Sequence, residues 1–210
     1  PGIPDWSPTG EEYVYAVERD GGKQSDLVIG QLGGKSEIIV QPISYLKKVA
    51  FAPDGQQILF SSNQTGQWQI WVYDRVTDSS KQITYQGGVY GRMSRDGQSL
   101  FFTKPEQSGL WQLNLASGES QLLIEQLAAE DWGNWDISTE GIIYLARAEK
   151  QDEIHLLTVS STNQESSDTI VKKLRRGEVR KDRSLRVRDN TLTLNLRQRV
   201  QGDIIVIEKS

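Results

Sequence analysis

The chain has 210 residues, enough for one large domain or two small ones and enough to bury a substantial core. It contains no cysteine, which excludes disulfides, thiolate metal sites and a cysteine nucleophile, and no run approaches the ~18 apolar residues of a bilayer-spanning helix. The net charge of −4 is unevenly placed: Lys172 to Arg199 carries 11 basic against 3 acidic residues, a net of +8, and the remaining 13 basic and 25 acidic residues give −12.

In chain order, the first predicted element is a short strand, IPDWS, leading into the turn Ser7-Pro8-Thr9-Gly10. Strands EYVYAVE, DLVIGQL and SEIIVQ follow. The next group begins with LKKVAFA, turns at Ala52-Pro53-Asp54-Gly55, and continues with QILFSS, WQIWVYD and KQITY. A third group runs VYGRMS, turn Ser94-Arg95-Asp96-Gly97, SLFFTK, LWQLNL and QLLIE. A fourth runs WGNWDIS, turn Ser138-Thr139-Glu140-Gly141, IIYLARA, EIHLLTV and DTIVKKL. The last runs SLRVR, turn Val187-Arg188-Asp189-Asn190, LTLNLRQ and DIIVIEK.

The groups are copies of one unit. The turn glycines Gly10, Gly55, Gly97 and Gly141, with Asn190 as the fifth, are spaced 45, 42, 44 and 49 residues apart. Asn is the other residue that tolerates the left-handed backbone, so its replacement of Gly is physically sensible. A second anchor, Leu27, Ile70, Leu110, Ile154 and Ile204, repeats at 43, 40, 44 and 50. Four short strands every ~40–50 residues match a propeller blade, which buries its two faces only by stacking on neighbours. No segment holds a helical period. The chain therefore reads as an all-β propeller of about five four-stranded blades, with approximate boundaries 1–41, 42–85, 86–125, 126–174 and 175–210. Five blades either close a ring or form part of a larger one. Closure by five is preferred, with IPDWS completing the last sheet. The start at Pro1 rather than Met reads as a processed or excised piece, with any anchor or further domain upstream.

The pattern [SA]-P-D-G-x-x-[IL]-x-[FY] followed by [DW]-[IL]-[YW]-[VL] resembles the TolB-type, WD40-like propeller repeat. FAPDGQQILFSSNQTGQWQIWVYD is the best copy and MSRDGQSLFFTKPEQSGLWQLNLASG the next. True WD repeats fit less well, lacking the Gly-His pair and Trp-Asp ending, and Ser94-Arg95-Asp96-Gly97 lacks the spacer of an Asp-box. The stretch from GIIYLARAE to the ending QGDIIVIEKS also looks like the C-terminal half of the periplasmic propeller of CadC-like, membrane-anchored winged-helix transcriptional regulators. That resemblance implies a periplasmic, non-enzymatic sensor domain with a protein or peptide partner. It also implies no direct nucleic-acid binding by this region and membrane proximity through an upstream anchor; room for oligomer formation comes instead from an open ring, which would leave unpaired edges and an exposed apolar blade face. TolB-like interaction propellers, substrate-gating propellers of peptidases and, last, five-bladed glycosidases are the alternatives.

Candidate chemistry is sparse. His155, the single histidine, lies in a strand and reads as a half-exposed strand residue. One histidine excludes a three-histidine metal site, and no G-x-S-x-G elbow presents a serine. No metal or cofactor is expected. AEDWGNWDIS is the richest cluster. Its Trp132, Trp135 and Asp136 suit either a loop that stacks on a ligand or the packed start of a blade. Tyr45 and Tyr90 stand at similar positions and complete the candidate ligand-binding set. Asp5, Glu130, Asp131 and Asp136 are the carboxylates that a glycosidase would draw on. Asp54, Asp96 and Asp189 read as turn formers, since single aspartates on different blades cannot share an ion. The basic stretch Leu174 to Arg188 reads as a wet strand face or a membrane-facing patch.

Overall fold

A computed structural model describes residues 4–159, 166–181, 185–188, 191–196 and 204–208. Among them there is no α-helix, only single 3-10 turns at Asp20–Gly22 and Ala129–Asp131, and no helix is long and apolar enough to cross a membrane. The described residues form nineteen strands in five antiparallel sheets. The first holds β1 (Asp5–Trp6), β2 (Glu12–Arg19), β3 (Gln24–Gln31) and β4 (Ser36–Ile43). The second holds β5 (Leu46–Phe51), β6 (Gln57–Ser62), β7 (Gln69–Asp74) and β8 (Ser79–Gln82). The third holds β9 (Tyr90–Met93), β10 (Ser99–Thr103), β11 (Leu110–Asn114) and β12 (Ser120–Ile124). The fourth holds β13 (Trp135–Ile137), β14 (Ile142–Arg147), β15 (Gln151–Val159) and β16 (Ser166–Arg175). The fifth holds β17 (Leu185–Arg188), β18 (Thr191–Asn195) and β19 (Ile204–Glu208). Each sheet is ordered as its sequence runs, the meander of a blade, and the fold is the expected all-β propeller of about five blades. The N-terminal strand differs from expectation. β1 pairs with β2, Asp5 opposite Val14, and so opens the first sheet instead of completing the last.

The chain divides into two compact units, 1–105 with 111–121, and 106–110 with 122–210. In the first, β6 explains the packing. Successive strand side chains point to opposite faces, and in QILFSS both sets are apolar. Ile58 and Phe60 join Val14, Leu27, Leu46 and Tyr73 in one core, while Leu59 joins Ile70, Leu100, Phe102 and Leu113 in another. The second sheet is thus covered on both faces at β6, which is why that strand reads as a continuous apolar run rather than an alternation. In the second unit, Leu145, Ile154, Val179, Leu185, Leu192, Leu194 and Leu196 form one core. The expected alternation in the basic region holds there: Leu192 and Leu194 are buried, Thr191 and Thr193 half-buried, and Arg175, Arg176, Arg180 and Arg188 exposed.

Three copies of the turn share one geometry. Gly10, Gly55 and Gly97 have φ of 76°, 70° and 70°, and each donates its N–H to the carbonyl three residues back. Asp54 Oδ1 accepts from the Gln56 and Gln57 amides, and Asp96 Oδ1 from the Gln98 amide and the Ser94 hydroxyl, so both aspartates are turn formers. The fourth copy differs. Ser138 pairs with Gly141 rather than five residues on, which makes a tighter loop. Gly141 is required by crowding, because a Cβ there would lie 2.1 Å from the Leu157 carbonyl oxygen. The fifth turn, with Asp189 and Asn190, lies outside the described residues.

Candidate functional site

In the first unit the candidate residues lie near three successive first strands. Asp5, on β1, accepts the Phe51 amide of β5 at 3.0 Å and a two-point ion pair from Arg92 of β9 at 2.8 and 2.9 Å. Arg92 Nε donates to the Tyr90 hydroxyl at 2.9 Å, and the guanidinium lies 5.7 Å from the Tyr90 ring centroid. Tyr90 is only 1% exposed, so its ring offers no stacking surface and instead steers Arg92. Tyr45, before β5, is half-buried. It meets Trp68 edge-on with ring centroids 5.8 Å apart, and its hydroxyl donates to Glu18 at 3.2 Å. Desolvation and then Glu18 push its phenol above the ordinary value.

In the second unit the sequence AEDWGNWDIS is a polar knot. Trp135 is fully buried and donates its indole N–H to the Trp132 carbonyl at 3.0 Å. Trp132 itself, at the end of the second 3-10 turn, is half-buried and keeps partial access to solvent. Asp136 accepts the Val187 amide of β17 at 3.0 Å. Asp5 and Asp136 stand at the same repeat position, two residues before the turn serines Ser7 and Ser138. Both carry out the same task, tying the first strand of one sheet to the first strand of the next.

Around them, Asp131 receives Arg147 at 2.5 and 2.6 Å and the Asn134 amide at 2.8 Å. Arg147 also donates to Asp152 at 3.0 Å and to the Val179 carbonyl at 3.2 Å. Burial alone pulls the Arg147 guanidinium down, but Asp131 and Asp152 outweigh it and hold it above its ordinary value. Asn134 accepts the Leu185 amide and donates to the Arg180 carbonyl. Glu130 is exposed, pairs with Lys181 at 3.1 Å, and is held below the usual carboxylate range by its own backbone N–H and then by Lys181.

The carboxylates are therefore committed to arginine, lysine or backbone amides. Asp131 and Asp152 share one guanidinium and so are not the unencumbered acid pair that glycoside cleavage uses. Among the described residues, no group of three or more His, Asp or Glu could hold a metal ion. His155 is half-buried on β15. It sits 3.1 Å from Asp168 and 3.3 Å from Glu153, stacked on Tyr144 at 5.0 Å. Burial and then Asp168, which accepts from the Tyr144 hydroxyl at 2.8 Å, push that phenol up. The sequence signals missed Arg92, Asn134 and Arg147. Their only trace is a polar residue within an otherwise apolar strand or turn, paired with acids that are remote in sequence.

The profile of the TolB beta propeller domain family matches residues 1–181. The Tol-Pal system protein TolB of Anaeromyxobacter dehalogenans (strain 2CP-C) is 27% identical over 129 residues, covering 58% of this chain and 29% of that protein. The TolB of Anaeromyxobacter sp. (strain K) is 30% identical over 98 residues, covering 44% and 22%. The chain thus spans under a third of the length of the curated relatives it matches. Among solved structures, TolB from Acinetobacter baumannii superposes with a TM-score of 0.64 at 17% identity, covering 83% of this chain and 44% of that one. The β-propeller domain of the Trilobed protease from Pyrococcus furiosus gives 0.61 at 11% identity, covering 99% and 67%. These structural likenesses speak to fold alone.

Proposed function

Because the chain belongs to the TolB beta propeller domain family, we propose that it is a non-enzymatic propeller whose task is to bind a protein partner. The family match across residues 1–181 is the observation that carries this reading. The relatives named above belong to the Tol-Pal system by name, so the Pal component of the same organism is the first partner to try, and a periplasmic location goes with it. By name these relatives are Tol-Pal proteins. They favour the interaction reading over the sensor reading suggested by the ending QGDIIVIEKS, part of which lies outside the described residues.

Within this proposal, Tyr45 and Trp132 are the contact residues, since both keep exposed surface. Trp135 and Tyr90 are buried, and Asp136 ties β13 to β17. Calorimetric titration of the chain with Pal tests the reading. The expected result is saturable binding with a dissociation constant in the ~micromolar range, weakened about tenfold or more by Tyr45→Ala or Trp132→Ala. No heat up to ~100 µM would sink the partner assignment. Unchanged affinity in both variants would sink the contact residues.

A further inference from the structure

A second site lies within the first unit and shares no residue with the set above. Between β8 and the strands β10 and β11 there is a cleft of about 280 Å³, lined by Lys81, Tyr85, Phe102, Lys104, Leu113 and Ser120 among others. No carboxylate lines it, although the chain as a whole is acidic.

Lys104 is its unusual member. The residue is 7% exposed, buried at the end of β10. Its ammonium lies 3.6 Å from the Trp111 ring centroid and 6.0 Å from that of Phe102. Among the described residues it has no ion pair and no hydrogen bond, so the two aromatic faces are its only compensation. At the same distance past the turn glycine, the earlier copies have Val17 and Ser62. A lysine buried this far without an acid beside it is costly, and burial pulls its ammonium below its ordinary value of 10.5. An incoming anion would supply what the fold omits.

The surroundings define the rest of the ligand. Phe102, Ile83, Leu113 and Leu115 make the walls apolar, and Tyr85, 71% exposed, stands at the rim. The volume suits a single side chain with its carboxylate, just below the ~300 Å³ lower bound of drug-sized pockets. β8 is the last strand of its sheet and lines the cleft through Lys81 and Gln82. Its outer edge can accept an extended backbone alongside. We propose that this cleft captures the free C-terminal carboxylate of a peptide ending in an apolar residue, with Lys104 as the partner of the carboxylate and β8 as the strand on which the peptide lies. The site includes neither Tyr45 nor Trp132 and does not depend on the interaction reading above.

The test uses the whole chain and three probes: Ac-Ala-Ala-Phe with a free carboxylate, its C-terminal amide, and phenylacetate. Binding is followed by the Trp fluorescence and by the amide NMR shifts of Gly87 and Gly118, both of which line the cleft. The expected result is binding of the free acid, with those amides moving and the peptide amide at least about tenfold weaker. Lys104→Met abolishes the difference between acid and amide, and Lys104→Arg keeps it. Equal binding of acid and amide by the native chain, no binding of either, or shifts confined to other residues would overturn the proposal without recourse to any variant. Phenylacetate binding as tightly as the peptide would also overturn it, by making a free organic acid the occupant.

Discussion

Asp5 and Arg92 are 87 residues apart in sequence and joined by two hydrogen bonds of 2.8 and 2.9 Å. The pair is mostly buried, with side chains 11% and 15% exposed, and Asp5 also holds the Phe51 amide. Asp5→Ala leaves a buried guanidinium and an orphaned amide, and should cost about 2–4 kcal/mol in urea unfolding. Arg92→Ala should cost a similar amount, and the double variant well under the sum. Additive losses would show that the two residues act independently.

Arg147 serves two aspartates that are both 0% exposed. Arg147→Met strands both charges and should destabilise the second unit by about 3–5 kcal/mol. Lysine in its place keeps the charge but loses the planar fork, so Arg147→Lys should recover only part of that loss. Equal stability of the Lys and Arg forms by thermal unfolding would count against a geometric role.

Gly97 and Gly141 occupy the same place in the repeat but resist alanine for different reasons. At Gly97 the space is open and only the φ of 70° opposes a side chain, so Gly97→Ala should cost about 1 kcal/mol. At Gly141 a Cβ would collide with the Leu157 backbone, which cannot swing aside. Gly141→Ala should lower the midpoint by roughly twice as much or more. A smaller effect at Gly141 than at Gly97 would contradict the crowding described at β15.

Asp96 is held below its ordinary value of 3.8, chiefly by the Ser94 hydroxyl and then by the Gln98 amide. A depressed folded-state value means the stabilisation is fully present above the unfolded value. It is lost as pH falls through the folded one. Asp96→Asn should therefore lower stability modestly at pH 7, and its gap to the native chain should narrow as the solution is acidified below the carboxylate range. The residue is solvent-exposed, so screening keeps the effect small. A gap that widens in acid would refute the assignment.

The repeat was legible because its turns and apolar strands are local. Pro53-Asp54-Gly55 and QILFSS carry their own geometry, and five copies amplify the signal. The fourth turn stands where STEG put it, but its tighter loop was not legible, because it is set by how closely the chain approaches β15 at Leu157, a tertiary fact. The N-terminal strand was ambiguous because both edges of a ring present the same kind of partner. The candidate site was less legible. Trp135 and Tyr90 were left between ligand stacking and packing, because aromatic residues serve both equally well. Lys104 went unnoticed because a lysine after FFT reads as the wet end of a strand, and its burial depends on Trp111 seven residues later on a neighbouring strand. Arg92 and Arg147 are visible only with the partners that the fold brings to them.

The division of β6 between two cores makes its register doubly determined. Phe60 faces the side of Val14 and Leu27, and Leu59 faces the side of Leu100 and Phe102. A slip of one residue would not merely expose apolar surface, as in a one-sided sheet. It would drive a phenylalanine into a niche fitted to leucine on one side and open a void on the other. Each sheet so placed acts as a gauge block between its neighbours. Copies of a shared repeat therefore diverge in size at adjacent positions while keeping their apolar character, and they cannot be exchanged freely along the chain.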